Sequence, residues 1–204
     1  MGDWLKNPSS WLSVIAAVIS VATFVLVHAD PGDIKVVLPD SVGVKHVDGE
    51  LLLLVPVTLT NTGAPRTVRH ISSMTAHLNE DRRDRGNANT VALRWRTIFT
   101  LLGRAEYALK YRIEDKSSLK DQDFLDYDSR ANPFALYGGN STQKTVEFRS
   151  RKGAFPGKTI ASFTLTVVGA TNDGREFPSI ATYYHCENIV LGGESFQYCD
   201  KHRW

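Results

Sequence analysis

The 204-residue chain sets 24 Lys+Arg against 22 Asp+Glu, a formal net charge of +2. That balance offers no field to draw the molecule toward nucleic acid, and no nucleic-acid partner is expected. No phosphate-binding loop, Gly-x-Gly-x-x-Gly fingerprint or Gly-x-Ser-x-Gly elbow occurs in the chain, so we expect neither a cofactor nor an enzyme activity.

The first predicted element is the uncharged run Trp11–Val27, WLSVIAAVISVATFVLV. At ~1.5 Å rise per residue it would make a helix roughly 25 Å long, close to one hydrocarbon thickness. The reading is a short flank over 1–10, a single transmembrane helix over 11–29, and a head domain over 30–204. Ser9 or Ser10 can cap the helix, and Trp4 and Trp11 suit the headgroup zone. Lys6 precedes the span, while Asp30 and Asp33 are the first charges beyond it. The positive-inside bias then sets the N-terminus in the cytoplasm and the head outside, in the periplasm or its equivalent. Two other readings stay open. Val27-His28-Ala29 would suit a signal-peptidase site, and 17 residues could also form a buried helix. Ser13/Ala17 and Ala16/Ser20 recur four apart, a spacing that lets a partner helix approach closely.

The head reads as strands. Ile34–Leu38 comes first, then Val42–Val47 and Leu51–Thr60, separated by the hairpin pair Asp48-Gly49. Pro56 inside the third run suggests an edge or a bulge. Thr67–Leu78 follows the turn Asn61-Thr62-Gly63. Val68, Ile71 and Met74 are its expected core contacts, and one bulge is needed to put them on a single face. Asn79–Asn89 is a polar loop. Val91–Phe99 alternates, with Val91, Leu93 and Trp95 inward and Arg94 and Arg96 outward. The densest basic stretches, Arg82–Arg85 and Arg149–Lys152, read as solvated loop or strand edge.

Leu101–Asp128 breaks the pattern. Its first part, 101–113, fits helical spacing and strand alternation equally, and the rest is acidic. An insertion of this length on a rigid scaffold suits a binding role. Its aromatics Tyr107, Tyr111, Phe124 and Tyr127 are the expected partner contacts on the head. Phe134–Tyr137, Thr145–Arg149, Thr159–Val168 and Ile180–Tyr184 complete the strands, with turns at Gly138-Gly139-Asn140 and Asn172-Asp173-Gly174. Eight or nine short strands with regular turn signals point to an all-β, antiparallel immunoglobulin-like β-sandwich.

Cys186 and Cys199 flank ENIVLGGESFQY. Folding at Gly192-Gly193 brings them nearly opposite, so a disulfide is expected to staple the last hairpin. The same segment offers His185 and His202 beside the cysteines, which leaves a metal site as the alternative. His185 and Cys186 are adjacent, however, and on a strand would point to opposite faces.

The span, together with VPVTLTNTGAPRTV (Val55–Val68) and PFALYGGNSTQKTVEF (Pro133–Phe148), resembles the single-span, membrane-anchored bacterial proteins with an immunoglobulin-like head. The resemblance covers the span and about half the head, and rests on turn chemistry. It implies a membrane-anchored, non-catalytic module facing the cell envelope and brings no functional residues. The expected function is therefore an accessory or structural subunit binding the other proteins of a membrane complex. Ser13, Ala16, Ala17 and Ser20 would pack against partner helices, and the insertion would contact the partner's exposed face. The alternative is a free-standing envelope module binding a ligand or metal through His185 and His202.

Overall fold

A computed structural model describes residues 8–29, 32–80, 89–101, 112, 125–155, 159–190 and 196–202. One helix, α1 (Pro8–Ala29), precedes twelve strands: β1 (Ile34–Val37), β2 (Ser41–Val47), β3 (Glu50–Asn61), β4 (Val68–Glu80), β5 (Asn89–Leu101), β6 (Leu125–Arg130), β7 (Phe134–Tyr137), β8 (Ser141–Arg149), β9 (Thr159–Thr171), β10 (Glu176–Pro178), β11 (Thr182–Val190) and β12 (Gln197–Lys201).

Two expectations about architecture need correcting. The first is the transmembrane helix: among the described residues no helix is long and apolar enough to cross a membrane. The second is the immunoglobulin-like arrangement of two separate sheets. All twelve strands belong to one hydrogen-bonded sheet. A walk through β9, β11, β12, β2, β3, β8, β5 and β4 returns to β9, because β4 also pairs with β9 from Ile71↔Thr171 to Glu80↔Phe163.

The β-sandwich is this ring folded over one core. Its halves, β2-β3-β8-β5 and β4-β9-β11-β12, join at two seams. At one seam β4 pairs with β5 (Thr75↔Arg94 to Glu80↔Asn89), and at the other β12 pairs with β2 (Gln197↔Val44 to Asp200↔Ser41). Long strands make this possible, because one strand can serve different neighbours along its length. β5 leaves β4 at Arg94 and runs with β8 to Phe99, through a bulge between Trp95 and Thr97. A bulge adds twist where a strand must turn a corner.

The local sequence signals explain most of these strands. Asp48 (φ 52°) and Gly49 (φ 83°) are both left-handed, the backbone a two-residue type I′ hairpin requires. Pro56 is tolerated inside β3 for a topological reason. On one side of β3, β2 pairs only with residues 50–54 and β1 only with 58–61. Pro56 falls in the gap, and its missing N–H leaves no ladder bond unmade. In β4 the expected bulge lies between Ile71 and Ser73 and carries Ile71, Met74, Ala76 and Leu78 onto the buried face. Val68, expected in the core, is 40% exposed, because the alternation before the bulge buries Arg69 instead.

The core gathers side chains from both halves of the ring. Val44, Leu53, Phe148 and Trp95 form one buried cross-strand row. Phe163 and Tyr184 stack at 5.6 Å between ring centroids on β9 and β11. Burial of these residues stabilises the fold by ~25 cal/mol per Å² of apolar surface removed from water.

Candidate interaction surfaces

The surface of α1 follows directly from its sequence. Every side chain described in the helix, residues 11–25, is exposed. Leu12, Val14, Ile15, Val18, Ile19 and Val21 are between 38% and 68% exposed. At ~100° per residue these six positions fall within one half of the helix circumference, and none of them is turned into the sandwich. Ser13, Ala16, Ala17 and Ser20 lie on the opposite half of the helix, equally exposed. Large contiguous apolar surface in water marks an interaction site.

Little of the 101–128 insertion is described. Tyr107, Tyr111 and Phe124 lie outside the described residues, as does the choice between helix and strand for 101–113 apart from Leu101 and Arg112. Tyr127 is described. It stands on β6, 56% exposed, edge-on to Phe99 at 6.4 Å. The end of the expected insertion is thus a strand, paired with β5 from Thr97↔Arg130 to Leu101↔Leu125.

The C-terminal hairpin forms as its spacing predicts. Tyr184↔Lys201 and His185↔Asp200 set the register, and the next pair inward is Cys186 and Cys199. They are bonded, with Cα atoms 4.3 Å apart, and both are buried. The Gly192-Gly193 turn lies outside the described residues. The disulfide uses both sulfurs, so neither can act as a thiolate ligand. His185 is exposed opposite Asp200, and His202 meets the Tyr183 ring at 6.0 Å. Among the described residues no group of three or more His, Cys, Asp and Glu could hold a metal ion.

Beside this hairpin an open groove of about 360 Å³ runs between Val36–Leu38 and Ile180–Tyr183. Its rim is apolar and wet, with Ile180 84% exposed and Val37 58% exposed. The run Ile180–Tyr184 predicts a strand that includes Ile180. In the structure it precedes β11, where no neighbouring strand covers it. A second surface missed by the sequence reading is basic. It joins Arg94 and Arg96 of β5 to Arg149, Arg151 and Lys152 at the end of β8. The outward alternation of Arg94 and Arg96 was a visible signal, but the β5–β8 pairing that joins them to Arg149 spans more than fifty residues of sequence.

No family model and no curated protein matches the chain. Among solved structures, the chain is similar to the crystal structure of a Bordetella pertussis protein described as ApaA. The identity is 11%, over 86% of this chain and 98% of the other, with a TM-score of 0.34. At that score the likeness carries no argument about fold or function.

Proposed function

We propose that the protein is a non-catalytic accessory subunit of a membrane-associated protein complex. In this reading α1 is its docking element, and the sandwich is a head held in an oxidising, extracytoplasmic compartment. The observation that carries the reading is the exposed apolar surface of α1. The occupant we assign to it is an apolar helical surface of a partner protein. An apolar helix gains ~25 cal/mol per Å² on being covered, and the Ala16, Ala17 and Ser20 positions let a second helix approach closely. The buried Cys186–Cys199 disulfide supports the compartment, since such bonds persist outside the reducing cytosol. Tyr127 and the apolar rim of Val37 and Ile180 supply further contact surface on the head.

The test uses the full chain with a V18D/I19D substitution on α1. Both proteins are crosslinked in cells, extracted gently, and analysed by mass spectrometry. The expected result is one stoichiometric partner recovered with the native chain and lost with the variant, while the variant keeps its disulfide and β-sheet spectrum. A native chain recovered alone, or a partner retained by the variant, would overturn the reading.

A further inference from the structure

Strands β5 and β8 run side by side from Phe99↔Thr145 to Arg94↔Arg149 and then part. β5 continues to Asn89 alongside β4 alone, and β8 gives way to the turn Ser150–Ala154. Between the diverging segments lies an open notch of about 550 Å³, lined by Arg94, Arg96, Arg149, Arg151 and Lys152. All five side chains are exposed.

The register makes this cluster costly for the fold. Arg94 and Arg149 are directly opposed across the ladder, and like charges in that position are destabilising. Of the described carboxylates, Asp48 shares a neighbouring pocket with Lys152, Glu50 lines the notch and Glu147 lies beside it. The last two are both engaged by Arg149. Its Nε donates to Glu147 Oε1 at 2.6 Å, and its Nη1 lies 3.9 Å from Glu50 Oε2. Arg94, Arg96, Arg151 and Lys152 have no ion pair among the described residues. In a chain of net charge +2, this notch concentrates unneutralised cations that nothing in the fold requires.

The backbone that carries Arg151 and Lys152 is held in place. Ser150 Oγ accepts the Leu51 N–H at 2.9 Å, and the Ser150 N–H donates to the Leu51 carbonyl at 2.9 Å. The Gly153 N–H donates to the Gly49 carbonyl at 2.8 Å, which ties the turn to the β2–β3 hairpin. Gly153 has φ 76° and closes the turn in the left-handed region. Arg151 and Lys152 thus sit on a turn fixed to the sandwich, facing Arg94 and Arg96 across a gap. A turn already fixed leaves only side-chain freedom to be lost on binding.

We infer that this notch is a binding site for a phosphate-bearing ligand. Guanidinium groups present parallel N–H donors that match phosphate oxygens in bidentate fashion. Four unpaired cations exceed what one carboxylate would neutralise and suit a group carrying more than one negative charge. Among the described residues no aromatic side chain lines the notch, so these residues offer no stacking platform of the kind a single-strand nucleic-acid channel uses. The phosphate comes from one of two sources, a soluble phosphate compound or an anionic lipid headgroup. The inference does not depend on what covers α1.

The full chain is titrated with inorganic phosphate by calorimetry at about 0.15 M salt, where charges beyond ~8 Å are screened. In parallel it is floated with phosphatidylglycerol-containing vesicles and with phosphatidylcholine vesicles. The comparison proteins are R94A/R151A and K35A/R66A; the second removes two exposed cations away from the notch. Phosphate binding weakened tenfold or more in R94A/R151A and kept in K35A/R66A is the result expected for a soluble ligand. An excess of phosphatidylglycerol over phosphatidylcholine binding, lost only in R94A/R151A, supports the site with a lipid source. Absence of both, or either one surviving in R94A/R151A, would overturn the inference. All four substituted residues are exposed, so both variants are expected to melt no lower than the native chain, and R94A/R151A to melt as high or higher.

Discussion

Tyr184 shows how much of the sandwich rests on single polar contacts. It is fully buried on β11, stacked on Phe163, and its hydroxyl donates to the Pro39 carbonyl at 2.7 Å. Burial, and secondarily the Asp40 carboxylate, push its phenol far above the ordinary tyrosine value. Tyr184→Phe keeps the stacking and strips the carbonyl of its donor, so it should cost about 1 kcal/mol in urea unfolding. The phenol stays neutral in the fold and ionises near pH 10 when unfolded. Its contribution is therefore present below pH 10 and declines as pH rises beyond it, and the Phe variant should lose less stability over that range. Asp173 acts in the opposite direction. The Thr171 hydroxyl donates to its carboxylate, Arg69 Nη1 lies 2.7 Å away, and together with the Arg175 backbone and guanidinium they hold its pKa below the usual value. Its stabilisation is present above pH ~4 and is lost as pH falls through the lowered value. Asp173→Asn should flatten the acid limb of the stability profile, read as a smaller shift of the unfolding midpoint between neutral and acidic buffer. The Asn172-Asp173-Gly174 turn was legible from composition. The ion pair was not, because Arg69 sits 104 positions away from Asp173.

At the scale of elements, the turns were the most legible features. Asp48-Gly49, Gly138-Gly139 and Asn172-Asp173-Gly174 each carry a residue type that tolerates φ > 0, and each is a turn in the structure. Gly138 shows a different requirement. A Cβ there would fall 1.8 Å from the Ala64 carbonyl oxygen, so the close approach of two backbones selects glycine. The last hairpin was also legible, since two cysteines either side of a Gly-Gly pair have few other ways to meet. Reducing Cys186–Cys199, or substituting C186A/C199A, releases a loop of sequence separation 13. The loss should be about 3 kcal/mol in chemical denaturation, with the chain-entropy model as its basis. β6 and β10 escaped the reading for a physical reason. LDYDSR and EFP carry too few apolar residues to show a period, and they become strands by completing the free edges of β5 and β9.

For the whole molecule, closure of the sheet matters most. With β4 paired to both β5 and β9, neither half of the ring has a free edge at that seam, and the buried residues form one cluster. The head should therefore unfold as one cooperative unit, with tryptophan fluorescence and far-ultraviolet circular dichroism giving coincident urea transitions. Separate transitions would show the two halves to be independent. α1 adds nothing to this core, since every side chain described in it is exposed.

Local sequence carries the all-β head, its turns, the inward face of Val91–Phe99 and the disulfide. These depend on period-two alternation, on φ-permissive residues and on short-range spacing, all local properties. Only the tertiary structure decided which strands pair, because partner choice follows from fitting whole apolar faces together across long stretches of chain. It therefore decided that the ladder closes through β4 and β9, and that Pro56 falls in the gap between two neighbours. It also sets Arg94 opposite Arg149 at the head of the notch. Periodicity shows which side of a strand is apolar, but the strand that lies beside it is set by packing.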